Sequence, residues 1–299
     1  MSKNQDGVTL PLVIDVVAKY WGEDISPQAS GSGSKELSII ESIVMLEGRG
    51  FASYIYKSSM KDLKKRIDQK IPPIVIMPGI QGVVQHAMVV SGYDVDERRI
   101  HIYVPEPDTV GAVQETKFEQ DWEQDDMTAI VIIPSDIKNL VGNDDLKFKE
   151  SNRLCFEAEG LRQSGKMNKA IEKAQRAIEI DSDNAQAWCM LAGMYNESNS
   201  DEAVPCYQKA IKLNPKYYLA YRGLGNYYLK KSDYSLAEAY YSKAIEINPT
   251  RFGPIYKNRA IARMQVGNNQ GAREDLLKYL EQMPSAQDRK AIEEAITQL

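Results

Sequence analysis

The stretch Tyr218-Leu-Ala-Tyr-Arg-Gly-Leu-Gly-Asn-Tyr-Tyr-Leu-Lys230, followed by Ser232-Asp-Tyr-Ser-Leu-Ala-Glu-Ala-Tyr-Tyr-Ser-Lys-Ala-Ile-Glu-Ile-Asn-Pro249, reads as two consecutive helices. Tyr221, Leu224 and Tyr228 stand at i, i+3 and i+7 on the first, and Ala237, Tyr241 and Ala244 at i, i+4 and i+7 on the second. Pro249 ends the pair, because proline lacks the N–H that a helix interior requires.

The same frame recurs along the C-terminal half. Ala170, Ala203, Ala237 and Ala272 are separated by 33, 34 and 35 residues, and Ala177, Ala210, Ala244 and Tyr279 keep step with them. Ser182, Pro215, Pro249 and Pro284 close the units, and Trp188, Leu191 and Tyr195 repeat the first-helix stripe. Small residues let paired helices approach closely while Tyr207 and Tyr241 fill the space between them. A period of this length marks a stack of helical hairpins.

These motifs resemble the tetratricopeptide family, in units of about 151–184, 185–217, 218–251 and 252–284. Residues 286–299 place Ala291, Ile292, Ala295, Ile296 and Leu299 at helical spacing, as a terminal capping helix would. The resemblance implies an all-α solenoid whose inner face, lined by first-helix residues, binds a protein or peptide. Expected there are Cys155, Glu159, Arg162, Cys189, Gly193, Asn196, Arg222, Asn226, Lys230, Lys257 and Ile261. Arg222 and Asn226 sit one turn apart on one ridge, which resembles a carboxylate clamp for a peptide C-terminus. Tyr218 and Tyr227 are candidates for rigid aromatic contact anchors.

Residues 1–136 read differently, with residues 137–150 as a linker. Helices are expected over 11–20, 34–47 (Ser34 opening the second) and 60–69, and strands over 51–56, 74–77, 88–90, 100–104 and 128–133, an α+β pattern with antiparallel strands. Thr9-Leu10-Pro11 ahead of Tyr20-Trp21-Gly22, then Pro72-Pro73-Ile74-Val75-Ile76, then His86-Ala-Met-Val-Val-Ser-Gly92-Tyr93-Asp94 together resemble the double-glycine-processing peptidases, which have a papain-like fold.

The resemblance implies a cysteine nucleophile opening the first helix, a histidine base and an orienting aspartate. In this sequence Thr9 stands at the cysteine position, His86 at the base, and Val104 at the aspartate, with Glu106 two residues on. The oxyanion-hole glutamine falls on Lys3, with Gln5 out of step. All three cysteines, Cys155, Cys189 and Cys206, lie in the repeat half. The front domain therefore reads as a pseudo-peptidase that binds a polypeptide without cutting it. The alternative is a divergent hydrolase using Thr9 or another group with His86.

Composition narrows the rest. With 43% hydrophobic and 26% charged residues the chain is of ordinary globular type. Two histidines and no paired cysteines argue against a metal or other cofactor. Residues 1–140 carry 14 basic against 21 acidic side chains and the remainder 23 against 21, a balance that argues against nucleic acid as partner. Without a membrane span or signal segment, a cytoplasmic location is the expectation.

Overall fold

The computed structural model describes residues 10–25, 38–79, 83–105 and 108–299. Thr9, Gln5, Glu106 and the expected helix start at Ser34 lie outside them. The front region is a six-stranded sheet in the order β1-β6-β2-β3-β4-β5, every pairing antiparallel. Its strands are β1 (Phe51–Lys57), β2 (Ile74–Pro78), β3 (Gln85–Asp94), β4 (Arg99–Val104), β5 (Thr109–Gln114) and β6 (Thr128–Pro134).

Helices α1 (Leu10–Tyr20) and α2 (Ile39–Glu47) cover one face of the sheet, where Val13, Ile14, Val17 and Ile43 pack on Ile74, Ile76, Ala87 and Val89. Helices α3 (Met60–Asp68) and α4 (Glu115–Glu123) cover the other, where Leu63, Phe118 and Trp122 meet Val75, Met88, Val90 and Val131. Such alternation is what a strand buried on both faces must show.

Two of these elements were not legible. β5 exposes Thr109, Val110, Ala112 and Gln114 and so has no buried run, and α4 carries mostly charged residues around Phe118 and Trp122. The cap of α2 is Ser38, whose Oγ accepts from the Glu41 amide while the Glu41 carboxylate accepts from the Ser38 amide, a reciprocal capping box.

The chain then crosses through a short helix, α5 (Asn139–Gly142), with Val141 fully buried. Eight helices follow as four hairpins: α6 (Lys149–Gln163) with α7 (Met167–Ile180), α8 (Ala185–Glu197) with α9 (Ala203–Leu213), α10 (Tyr218–Lys230) with α11 (Tyr234–Ile247), and α12 (Pro254–Gln265) with α13 (Asn269–Gln282). The final helix, α14 (Arg289–Gln298), lays Ile292, Ala295 and Ile296 against Ala260, Ala272 and Leu276, capping the stack.

The alanine series Ala170, Ala203, Ala237 and Ala272 is fully buried, as the packing argument requires. The aromatic knobs impose a matching demand. A Cβ on Gly223 would lie 2.3 Å from the Tyr207 ring, and one on Gly225 would lie 2.5 Å from the Tyr241 ring, so both first-helix glycines are cut to the tyrosines they receive. Tyr218 and Tyr227 are buried as well, the first completely, which removes them as free contact anchors.

Each hairpin turns through one residue of left-handed backbone: Gly165, Asn199, Ser232 and Gly267, with φ of 75°, 56°, 59° and 79°. Glycine and asparagine adopt this conformation readily and serine does not. Ser232→Gly is expected to raise the unfolding free energy by about 0.5–1 kcal/mol, read as a higher denaturant midpoint at unchanged slope.

Candidate functional site

The expected inner-face residues stand on the first helices, and several are already engaged with one another. Arg162 pairs with Glu159 at 2.6 Å and with Glu197 of the next hairpin at 2.8 Å. Asn196, buried on α8, donates to the Gly223 carbonyl at 3.5 Å, and Lys230 donates to the Asn196 carbonyl at 3.2 Å. Asn226 accepts from the Tyr241 hydroxyl at 2.8 Å. Lys257 forms an ion pair of 2.8 Å with Asp288, just ahead of the capping helix. The Arg222 guanidinium lies 4.5 Å from the centre of the Phe252 ring, and its Nε is buried without a hydrogen-bond partner among the described residues. Ile261 is 37% exposed. Cys155 and Cys189 are buried thiols; burial pushes both pKa values up, that of Cys189 to about 12, so neither is a nucleophile at neutral pH.

A second feature, the joint between the two halves, has no counterpart in the sequence pattern. The turn from α4 into β6, residues 123–128, is seated on the loops that join successive hairpins. Asn214 donates to the Glu123 carbonyl at 3.0 Å and to the Asp126 carboxylate at 3.2 Å. Asn248, the corresponding residue one repeat later, donates to Gln124 at 3.1 Å. Lys216 pairs with Glu123 at 2.5 Å, and Thr128 donates to Gln186 at 3.1 Å.

At the centre of this joint Arg251 and Asp125, both side chains fully buried, form an ion pair of 2.6 Å. Arg251 also donates to the Val84 carbonyl at 3.2 Å and lies 4.5 Å from the centre of the Tyr218 ring. Gln85 donates to the same carboxylate at 2.6 Å. Burial still pushes the Asp125 pKa up, against the opposing effects of Arg251 and Gln85. Asp125 Oδ2, Arg251 Nη1 and the Tyr218 hydroxyl are buried without hydrogen-bond partners among the described residues.

A further contact holds the first repeat to the front domain. Arg153 donates twice to Glu47, at 2.7 and 2.9 Å, and Gly160 allows α6 to approach Ile40 so closely that a Cβ would lie 2.7 Å from it.

His86 is the second residue of β3 and, by strand alternation, shares its face with Met88 and Val90, opposite the face that α1 covers. Burial pushes its pKa down, a backbone bond at Pro78 opposes that, and the nearby Arg251 guanidinium adds to it. Val104 packs into the apolar cluster on the α3 and α4 side. Among the described residues no group of three or more histidine, cysteine or acidic side chains could hold a metal ion, and no helix is long and apolar enough to cross a membrane.

Comparison with known proteins bears on the repeat half. A crystal structure of the MamA protein is 25% identical over 49% of this chain and 86% of its own, with a TM-score of 0.41. The cell division cycle protein 27 homolog of Caenorhabditis elegans is 37% identical over 82 residues, 27% of this chain and 10% of that protein. Human tetratricopeptide repeat protein 6 is 43% identical over 63 residues, 21% of this chain and 12% of that one. The chain thus spans about a tenth of the length of these two relatives. Two tetratricopeptide-repeat models match residues 195–251 and 224–297. With four stacked hairpins in the same frame, the C-terminal region is a tetratricopeptide solenoid.

Two measurements test the joint. Arg251→Met leaves the Asp125 carboxylate buried and unpaired and is expected to cost about 3–5 kcal/mol in denaturant unfolding, most of it recovered when Asp125→Leu is added. His86, neutral when folded, binds a proton more readily once unfolded, so its contribution holds above its ordinary pKa of 6.5 and is lost as the pH falls below it. Unfolding at pH 7.5 and 5.5 is expected to show a smaller acid-side loss for His86→Gln than for the native chain.

Proposed function

We propose that this protein is a non-catalytic adaptor whose repeat groove engages a polypeptide partner. The observation that carries the proposal is the inner ridge of α10 and α12, where Arg222 and Asn226 stand one turn apart and Ile261 leaves apolar surface open on the neighbouring first helix. A cation, an amide and an exposed aliphatic side chain on adjacent first helices suit a short peptide that presents a carboxylate beside an apolar residue. Asn196, Lys230, Lys257 and Arg162 extend the polar lining on either side, already braced by their ion pairs and hydrogen bonds.

We further infer that the front domain is peptidase-like in ancestry and serves as a binding and capping module. Support comes from the sequence motifs, from His86 near the start of β3 with Gly92-Tyr93-Asp94 at its end, and from the absence of cysteine in the front half. The position of His86 beside Arg251 favours a structural role for the imidazole over that of a general base. Val104, at the position of the orienting carboxylate, contributes packing alone.

A peptide array screened with the whole chain, followed by titration of the best binder, tests this reading. Ile261→Glu and Asn226→Ala are each expected to weaken binding at least tenfold, about 1.4 kcal/mol. The thermal midpoint of Ile261→Glu should stay unchanged, since that side chain is exposed. A binder indifferent to both substitutions would place recognition elsewhere.

A further inference from the structure

The turn at residues 123–128 is held as a bound peptide would be. Two successive repeats present the same residue type at the same loop position, Asn214 and Asn248, and each spends its side-chain amide on this turn. Lys216 and Arg251 add one cation per loop, matched to Glu123 and Asp125. The sequence of the turn, Glu123-Gln-Asp-Asp126, supplies three carboxylates in four residues. This edge adjoins the inner ridge, since Arg251 lies on the Tyr218 ring and Arg222, one turn further along the same helix, lies on Phe252.

The fit is incomplete. Arg251 Nη1 and the Tyr218 hydroxyl, both on fully buried side chains, have no hydrogen-bond partner among the described residues, and neither has the second oxygen of Asp125. A turn fixed at both ends by α4 and β6 cannot adjust to reach these groups, whereas a free segment can. Buried donors left unsatisfied raise the cost of the present arrangement and favour an occupant that fills them. Beside the turn a cleft of about 430 Å³, lined by Gln120 and Gln124 on one side and by Lys216, Asn248 and Thr250 on the other, opens the joint to an incoming chain. The Arg153–Glu47 pair and the close contact of α6 with Ile40 lie elsewhere and keep the halves joined if the turn lets go.

The geometry points to the inter-repeat edge as a second recognition surface, specific for short acidic segments and occupied in cis by the chain's own 123–126 turn, which an acidic partner displaces.

The test uses the full-length chain and a labelled synthetic peptide spanning residues 118–130. Glu123→Lys sets a cation against Lys216 at an exposed position and loosens the internal turn with the core intact; Asp125→Asn loosens it from the centre. Amide exchange across residues 123–128 should quicken at least tenfold in either variant. The peptide should bind each variant at least tenfold more tightly than it binds the native chain, measured by fluorescence anisotropy. Adding Asn214→Ala to the Glu123→Lys chain, or replacing the peptide's own Asp125 by asparagine, should remove most of that gain. Equal peptide affinity for the native chain and the loosened variants would overturn the proposal. So would binding indifferent to Asn214, or unchanged exchange in a folded Glu123→Lys chain.

Discussion

The close approach of neighbouring helices is the constraint on which this architecture rests. Four alanines with no exposed surface, one per hairpin, and two glycines cut to the rings of Tyr207 and Tyr241 set the distance at which second helices meet first helices. Close-packed interiors tolerate little change in volume, so spacing in the sequence becomes spacing in space. Once that distance is set, the hairpins stack, the first helices line up along one side and the loops between repeats fall along one edge. Both candidate recognition surfaces are consequences of that stacking.

A solenoid must also end, because its last apolar faces have no further repeat to cover them. At the C-terminus α14 meets this need with Ile292, Ala295 and Ile296. At the N-terminus the cover is a whole α+β domain: Phe156 of α6 joins the core beneath α1 and α2, and Arg153 anchors to Glu47. The front domain is thus part of the repeat array's packing as well as a fold in its own right. Removing it would expose the first hairpin.

The joint combines an apolar contact, Val84 against Tyr218, Phe252 and Ile255, with a polar centre that neither core has. A buried pair such as Arg251 with Asp125 gains little over a well-packed apolar contact and costs much when one partner is lost, so it fixes orientation more than it adds stability. Asparagine side chains at corresponding loop positions give the same contact three directional hydrogen bonds. An interface made this way holds one geometry, and in its polarity it resembles transient protein contacts more than permanent ones.

Local periodicity was enough to specify the C-terminal helical repeat array and the antiparallel strands of the front half. β5 and α4 escaped it, because their exposed or charged residues carry no such period. Helical spacing put Arg222, Asn226 and Ile261 on first helices, but held no hint that Lys257 would meet Asp288 or that Tyr218 would be enclosed. The meeting of Asp125 and Arg251, 126 residues apart, in a buried pair with His86 close to the same guanidinium, came from the folded arrangement alone. Spacing within a helix or strand is encoded by near neighbours in the chain, whereas the docking of one fold on another depends on shapes that exist only after both have formed.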